Sequence, residues 1–314
     1  MTSPRPAEVQ SGEVDLHMHS TASDGSLAPA QVVAAARGAR LSAIALTDHD
    51  TMDGVDEAVT VGQAAGVRVI RGVELSAHDG PAEIHVLALH VSRPAPLESI
   101  LSAFRGAREM RARRIVERLN HLGVNVDFDS VMTEAAGGSV GRPHVARAMI
   151  RCGAVRDTRE AFEKYLGAGR SAYVPKDRLE IREAIEITHA AGAIAIWAHP
   201  GPDGMRVRLE PLVEMGLDGV EVRHPGHSSE DVKRLGALTE FFGLLPSGGS
   251  DWHGSPEGPR TIGCMHIPGA WLDRQDEYTR RKEANEGQRR PDNRTEIAEG
   301  IVKHVHSAER EGIA

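Results

Sequence analysis

The chain has 314 residues, 40% apolar and only 4% aromatic, which suits one large domain or a domain with an insertion and a core built from Ala, Val, Leu and Ile. A formal charge of −8 excludes a protein that coats nucleic acid through a basic surface, though not a pocket for a single nucleotide. Cys152 and Cys264 are the only cysteines, which excludes a disulfide framework and points to a reducing compartment.

The first residues, "MTSPRPAEVQSG", are polar and Pro-rich, so 1–12 reads as a flexible N-terminus and not as a signal peptide. No apolar run approaches membrane-span length, and the expected setting is soluble and cytoplasmic. A short apolar run then ends at His17 and His19. Further strands are predicted at 43–50 ("AIALTDHD"), 67–75 ("VRVIRGVEL"), 83–91 ("EIHVLALHV"), 193–200 ("AIAIWAHP") and 219–225 ("GVEVRHP"). Ala-rich segments with helical spacing lie between them at 29–39, 53–65, 180–191 and 228–242, and Gly66, Gly192, Gly216 and Gly243 stand where helices should stop. Such alternation implies an α/β fold with a mainly parallel sheet, and closure into a barrel is compatible with it.

The rhythm breaks from 96 to 177, where helical segments follow one another, beginning with a long one at 97–122. This stretch is expected to be a helical insertion between the two parts of the barrel, 13–95 and 178–270. In the last stretch, 271–314, charge dominates. Fifteen of the 29 residues from Leu272 to Gly300 are charged, too polar for a core element, so a surface helix or a disordered tail is expected.

Sixteen histidines is an unusual number, and their placement carries the functional signal. His17 and His19 end the first predicted strand, His49 the second, Glu74 the third and His199 a later one. His85 lies within the fourth, and Asp251 and His253 follow an apolar run as "SDWH". Sites in parallel α/β folds form at the carboxyl ends of strands, so residues distant in sequence would meet at one mouth. Residues i and i+2 of a strand point to the same side, which lets His17 and His19 grip one ion and Asp251 and His253 repeat the device. Any one such histidine is more often an ordinary surface or core residue; two paired motifs together with three further strand histidines favour a metal site. Imidazole mixed with carboxylate suits Zn, Mn or Fe.

The segments "DLHMHSTASDGS", "ALTDHDTMDG", "GVELSA", "IHVLAL", "AHP" and "GSDWH" resemble, in order, the motifs of the PHP (polymerase and histidinol phosphatase) family of metal-dependent phosphoesterases. The resemblance covers roughly 14–90 and 183–266. It implies a distorted (β/α)7 barrel with a helical insertion and two to three divalent ions at its mouth. Matched position by position, His17, His19, Glu74 and Asp251 would hold one ion. Glu74 would bridge to a second, held also by His85 and His199, and Asp24, His49 and His253 would hold a third. Three such ions carry +6 against −3 from the three carboxylates, so an acidic protein would hold a positive pocket suited to phosphate. The resemblance further implies attack by a metal-bound hydroxide, with His199, Asp251, His253 and Arg142 in the catalytic set.

"GRPHVARAM" (141–149) lies in the insertion. It reads plainly as a helix start with an early proline. A similar "GRPH" marks the family branch that acts on nucleoside 3',5'-bisphosphates and on short RNA 5' ends, which favours Arg142 and His144 as phosphate contacts. Lys176 in "AYVPKD" is a further candidate, in an insertion that could fold over the mouth. His224, at a strand end, is expected to touch substrate, and His227 to face solvent. The arginines at 105, 108, 111, 113, 114 and 118 are expected to form a solvated helix face. His78, His90, His121, His189, His266, His304 and His306 match no motif and are expected to be structural or exposed. The expected activity is hydrolysis of a nucleotide or short-oligonucleotide phosphate ester. Histidinol phosphate is the alternative substrate, and a non-catalytic metal or nucleotide sensor is the alternative of another class. No membrane and no stable protein partner are implied.

Overall fold

The computed structural model describes residues 12–135, 140–175, 178–255 and 258–286. In chain order the elements are β1 (Glu13–Met18), α1 (Pro29–Gly38), β2 (Ala43–Leu46), α2 (Val55–Ala65), β3 (Arg68–Asp79) and β4 (Ala82–Leu89). The helices α3 (Ala95–His121), α4 (Phe128–Ala135), α5 (Arg142–Arg151) and α6 (Thr158–Ala161) follow. The chain continues through β5 (Leu179–Glu180), α7 (Ile181–Ala190), β6 (Ile194–Trp197), α8 (Arg206–Glu214), β7 (Gly219–Arg223), α9 (Ser229–Phe242), β8 (Leu245–Gly248), β9 (Ile267–Pro268) and α10 (Gly269–Glu286). Among the described residues these fall into two compact units, 12–94 with 180–286, and 95–179.

The first unit is an α/β barrel with strand order β8-β7-β6-β4-β3-β2-β1-β9. Parallel pairing holds on both sides, β1–β2–β3 and β6–β7–β8. The expectation of a mainly parallel sheet fails at β4, which is antiparallel to both β3 and β6. The cause is local. Only Gly80 and Pro81 separate the paired residues Asp79 and Ala82, and a two-residue turn can join only antiparallel strands. Gly80, at φ 59°, takes the position that such a turn reserves for a residue with positive φ. The hairpin also prolongs β3 to Asp79, so Glu74 lies mid-strand and not at a strand end.

A nearly closed wall results, because the chain after β8 returns to β1. Met18 and Trp252 form a parallel bridge. The buried Asp15 carboxylate accepts the Ser250 and Gly263 N–H groups, both at 2.9 Å, in place of a backbone ladder. The approach is so close that a Cβ on Gly249 would stand 2.5 Å from the His17 backbone nitrogen. Inside, the barrel is filled by small and branched residues, including Leu16, Ala45, Ile70, Leu87, Leu89, Ile194, Ile196 and Leu245, as a composition poor in aromatics requires. On β3 and β4 the side-chain alternation that buries Ile70, Leu87 and Leu89 puts Glu74 and His85 above them, on the same face.

The start of the charged tail takes the surface-helix alternative, and one side of that helix is anchored. α10 packs against β1, β8 and β9. Leu272 joins the core, wholly buried Gln275 donates to the Pro246 carbonyl at 3.0 Å, and Tyr278 donates to Asp218 at 2.5 Å. Most of its charges lie on the outer face, with Asp276 paired to Arg68 and Lys282 near Asp218, so a highly polar helix still has one buried side. The rest of the tail, from 287, lies outside the described residues. No helix among the described residues is long and apolar enough to cross a membrane.

The second unit is helical, with its own core of Ile115, Leu119, Val131, Val145, Met149 and Leu166, among others. Several of the arginines expected to be merely solvated have partners here. Arg111 donates to the Val174 carbonyl at 2.8 Å and Arg118 to that of Tyr173 at 2.5 Å, so α3 pins the segment 173–174.

Candidate metal centre

Local hydrogen bonding explains how the short motifs become a site. In "TDHD", Asp48 is buried and accepts the Ser20 N–H, the Ser20 hydroxyl and the Ser23 hydroxyl, each at 2.7 Å. Asp50 accepts the Ser76 N–H at 2.9 Å and its hydroxyl at 3.0 Å, while donating its own N–H to the Glu74 carbonyl at 2.9 Å. His49 is therefore clamped from both sides. Gly25 is needed because a Cβ there would lie 2.7 Å from the His19 carbonyl carbon; this contact turns the loop so that Asp24 comes over His19. His199 and Asp251 both adopt positive φ, 34° and 50°. Neither is glycine, and such backbone strain, on the order of 1–3 kcal/mol each, is concentrated at functional sites.

Glu74 is the centre of the arrangement. Its Oε2 lies 3.0 Å from His17 Nε2, 3.2 Å from His19 Nε2 and 3.3 Å from His49 Nδ1. Its Oε1 lies 2.8 Å from His85 Nδ1 and 2.9 Å from His199 Nε2, and those two rings are 3.2 Å apart at these nitrogens. One carboxylate thus faces two histidine clusters with different oxygens. Asp251 Oδ1 sits 3.2 Å from His19 Nε2 and 3.5 Å from His17 Nε2. Asp24 lies 3.2 Å from His253 Nε2, and its other oxygen is 4.0 Å from His49 Nε2.

The donor atoms converge in three groups able to hold an ion: His17, His19, Glu74 and Asp251; His49, Glu74 and His85; and His19, Asp24, His49 and His253. His49 enters two of them, and His199 adjoins the second through Glu74 and His85. The chemistry of the set fits divalent transition metals. His19 supplies the sharper test. It is wholly buried and neither ring nitrogen has a hydrogen-bond partner, although two carboxylates stand 3.2 Å from Nε2. A buried polar atom without a partner is costly, and a cation between these groups would satisfy it. His253 is poised similarly: its Nδ1 donates to the Asp251 carbonyl at 2.9 Å, which leaves Nε2 bare toward Asp24.

The charges are strongly coupled. Burial opposes ionisation of Glu74, but the His17 imidazole, with those of His19 and His199 close by, outweighs it and holds the carboxyl well below the ordinary range. Asp251 is driven the same way, against burial, by His19, His224 and His17. Burial also opposes the charge on Asp24, yet His253 and His49 bring it down to about 2. For His85, burial is overcome by Glu74 and Glu83, and the ring rises to about 9. Carboxylates ionised at neutral pH are the form a cation requires.

The remaining predicted residues are placed as follows. Arg142 opens α5; it donates to the Leu166 carbonyl at 3.2 Å and lies between the Phe162 and Tyr173 rings, 5.5 and 5.6 Å from their centroids. His144 accepts the Gly141 N–H on Nδ1 at 2.9 Å, so Nε2 carries the proton of the neutral ring. Lys176 lies outside the described residues. His224, expected to touch substrate, is buried. Its Nδ1 accepts the Gly226 N–H, which leaves Nε2–H to face Asp251 Oδ2 at 3.3 Å. His227 does not simply face solvent: it donates to the Val222 carbonyl and accepts the Gly201 N–H. Three residues at the site had not been singled out: Asp15, Glu221 and Arg260, whose guanidinium reaches Asp251 Oδ2. A lone carboxylate in the apolar strand "GVEVR" is a legible signal for Glu221, because a buried charge must be paired.

Residues 15–129 match the PHP domain family model. A 5'-3' exoribonuclease of Haemophilus influenzae is 37% identical over 245 residues, 76% of this chain and 89% of that protein. A 3',5'-nucleoside bisphosphate phosphatase of Chromobacterium violaceum is 34% identical over 257 residues, 80% of this chain and 90% of that protein. The solved structure of a metal-dependent phosphoesterase from Bifidobacterium adolescentis superposes with a TM-score of 0.70 at 30% identity, covering 86% of this chain and 96% of that one. With barrel, histidine–carboxylate mouth and nearly full-length relatives in agreement, the chain belongs to the PHP family of metal-dependent phosphoesterases.

Proposed function

We propose that the protein hydrolyses a nucleotide phosphate ester, either a phosphomonoester of a nucleoside 3',5'-bisphosphate or the 5' end of a short oligoribonucleotide. Two to three divalent ions, Mn, Fe or Zn, would be held at the barrel mouth. The observation that carries this reading is Glu74, one buried carboxylate whose two oxygens face separate histidine clusters. That is the donor geometry for ions that share a bridging ligand. The relatives narrow the substrate, because the names of two of them specify a nucleoside bisphosphate and RNA.

In this proposal His17, His19, Glu74 and Asp251 hold one ion, Glu74, His85 and His199 a second, and Asp24, His49 and His253 a third. When bound, such ions supply the Lewis acidity that makes a water nucleophilic at neutral pH and offsets charge on the phosphoryl oxygens. The chain does the rest. The clamps on His49 and the loop at Gly25 fix the donors before substrate arrives, so little reorganisation remains for the reaction. Asp251, ionised and held by His224 Nε2–H, stays an acceptor. His199, Asp251 and His253, with Arg142, form the proposed catalytic set. Arg142, His144 and Lys176 are the proposed substrate contacts; His224, also expected to touch substrate, is buried with both ring nitrogens engaged and acts through Asp251. Arg142 suits the role because its guanidinium is steadied by two rings and one carbonyl while other N–H groups remain for a phosphate.

The test is a comparison of kcat/KM, with Mn²⁺ present, for a nucleoside 3',5'-bisphosphate, the matching 3'-monophosphate and histidinol phosphate. A second anchored phosphate aligns the reacting one, so the bisphosphate should lead by about tenfold or more. Equal rates for bisphosphate and monophosphate, or preference for histidinol phosphate, would refute the substrate assignment.

A further inference from the structure

We infer that Glu221, on β7, is the positioning residue that sets the metal-binding form of His17 and the backbone pose of His199. This rests on the reading that the barrel mouth holds divalent ions. Glu221 is wholly buried. Its Oε1 lies 3.2 Å from His17 Nδ1, and its Oε2 accepts the backbone N–H of His199 at 2.7 Å. His17 Nε2, on the far side of the ring, points at Glu74 and Asp251.

A carboxylate only accepts, so the hydrogen bond to Glu221 requires the proton on His17 Nδ1. Nε2 is then the nitrogen left to offer its lone pair to an ion between it and the carboxylates, which is the form that would ligate. The second oxygen acts on another ligand. His199 has φ 34°, a conformation that a non-glycine residue keeps only when its surroundings impose it, and the 2.7 Å bond from its N–H to Glu221 imposes it. Glu221 therefore joins a donor of one candidate ion group to a donor beside another. Loosening it should weaken binding of more than one ion at once.

Glutamine is the informative replacement because it keeps shape and volume. Its amide has one oxygen and one NH2. If the oxygen accepts from His199, the NH2 faces His17 Nδ1 and forces the proton onto Nε2, the ligating atom. If the amide turns over, the NH2 opposes the His199 N–H. Either orientation breaks one of the two contacts, whereas a mere packing role would be served equally well by the isostere.

The experiment measures Zn²⁺ and Mn²⁺ binding by wild-type and Glu221→Gln protein, below the unfolding transition of each. The expected result is a loss of about ten- to a hundredfold in affinity for at least two ions together, the range typical of residues that orient metal ligands. Wild-type affinity in folded Glu221→Gln overturns the inference and leaves the metal centre standing. Failure of the wild type to bind either ion overturns the metal centre itself. Should the variant not fold, ¹⁵N NMR of the zinc-loaded wild type decides, with the His17 signals assigned from their loss in His17→Gln. A proton on Nδ1 is expected, and a proton on Nε2 with Nδ1 bare would overturn the assignment.

Discussion

Replacing Gly249 by alanine adds one methyl group at the seam of the barrel. That Cβ would lie 2.5 Å from both the His17 nitrogen and Cβ, and 2.9 Å from Asp15 Oδ1. All three atoms belong to residues of β1, whose backbone is fixed by pairing to β2 and β9, and Asp15 Oδ1 is itself held by the Ser250 N–H, so no flexible side chain can yield. Carbon atoms rest at about 3.5–4.0 Å, so the segment at 249, just past β8, must retreat by about 1 Å. Overpacking of this kind costs about 1–3 kcal/mol. The retreat also breaks the 2.9 Å bond from the Ser250 N–H to Asp15, and a buried N–H left without a partner adds about 1–3 kcal/mol. A loss of about 3 kcal/mol or more is expected, which at about 2–4 °C per kcal/mol lowers the melting temperature by about 6–12 °C. Because His17 and Asp251 flank this seam, metal retention should fall with it. The control is Gly38→Ala, at the exposed end of α1 with nothing within 4 Å of the added carbon, where a gain of about 0.5–1 kcal/mol is expected. Circular dichroism melts of metal-free protein provide the measurement. A Gly249→Ala melt within about 2 °C of wild type would refute the seam argument.

His19→Ala should lose most bound metal after reconstitution, whereas His121→Ala, at the exposed end of α3 where the ring meets the Glu117 carbonyl, should retain it; elemental analysis of both variants checks this. Arg142→Ala should leave metal content intact and lower kcat/KM by about 10–150-fold, the equivalent of a charge-assisted contact of about 1.5–3 kcal/mol; unchanged kinetics would confine Arg142 to the fold of its own unit. Asp218→Asn probes the base of the barrel. There burial opposes the charge, but His189, then Lys282 and Tyr278, hold the Asp218 carboxyl below its ordinary value of 3.8. A carboxyl depressed in the folded state stabilises fully above its unfolded pKa, and the contribution disappears as pH falls through the folded value. The variant should therefore be about 2 kcal/mol less stable at pH 7, a deficit that shrinks below about pH 4; a deficit independent of pH would contradict the pairing.

Much of the site is legible in the sequence because strand ends concentrate it. His17 with His19, and Asp251 with His253, are spaced so that a strand or its exit turns both toward one point, and the apolar runs before them locate the strands. The helices between strands are equally clear from periodicity, as at 29–39 and 228–242. What depends on distant partners is less readable. The antiparallel placement of β4 follows from the turn at Gly80 and Pro81, a feature of two residues that the strand–helix rhythm masks. The buried side of α10 is hidden by its charge, since only Leu272, Gln275 and Tyr278 reveal it. His224 sits where a strand-end histidine should, but packing turns its Nε2 onto Asp251. Asp15 looks like an ordinary acidic residue until the barrel closes and leaves it with backbone N–H groups to accept, whereas Glu221 stands out in its apolar strand but its partners do not.

The most direct test of the metal centre is anomalous diffraction from crystals of the protein reconstituted with manganese, recorded at the manganese edge. The account predicts peaks at the barrel mouth, one among His17, His19, Glu74 and Asp251, a second beside Glu74, His85 and His199, and, at full occupancy, a third among Asp24, His49 and His253. A mouth without a peak, or manganese bound only elsewhere on the protein, would contradict it.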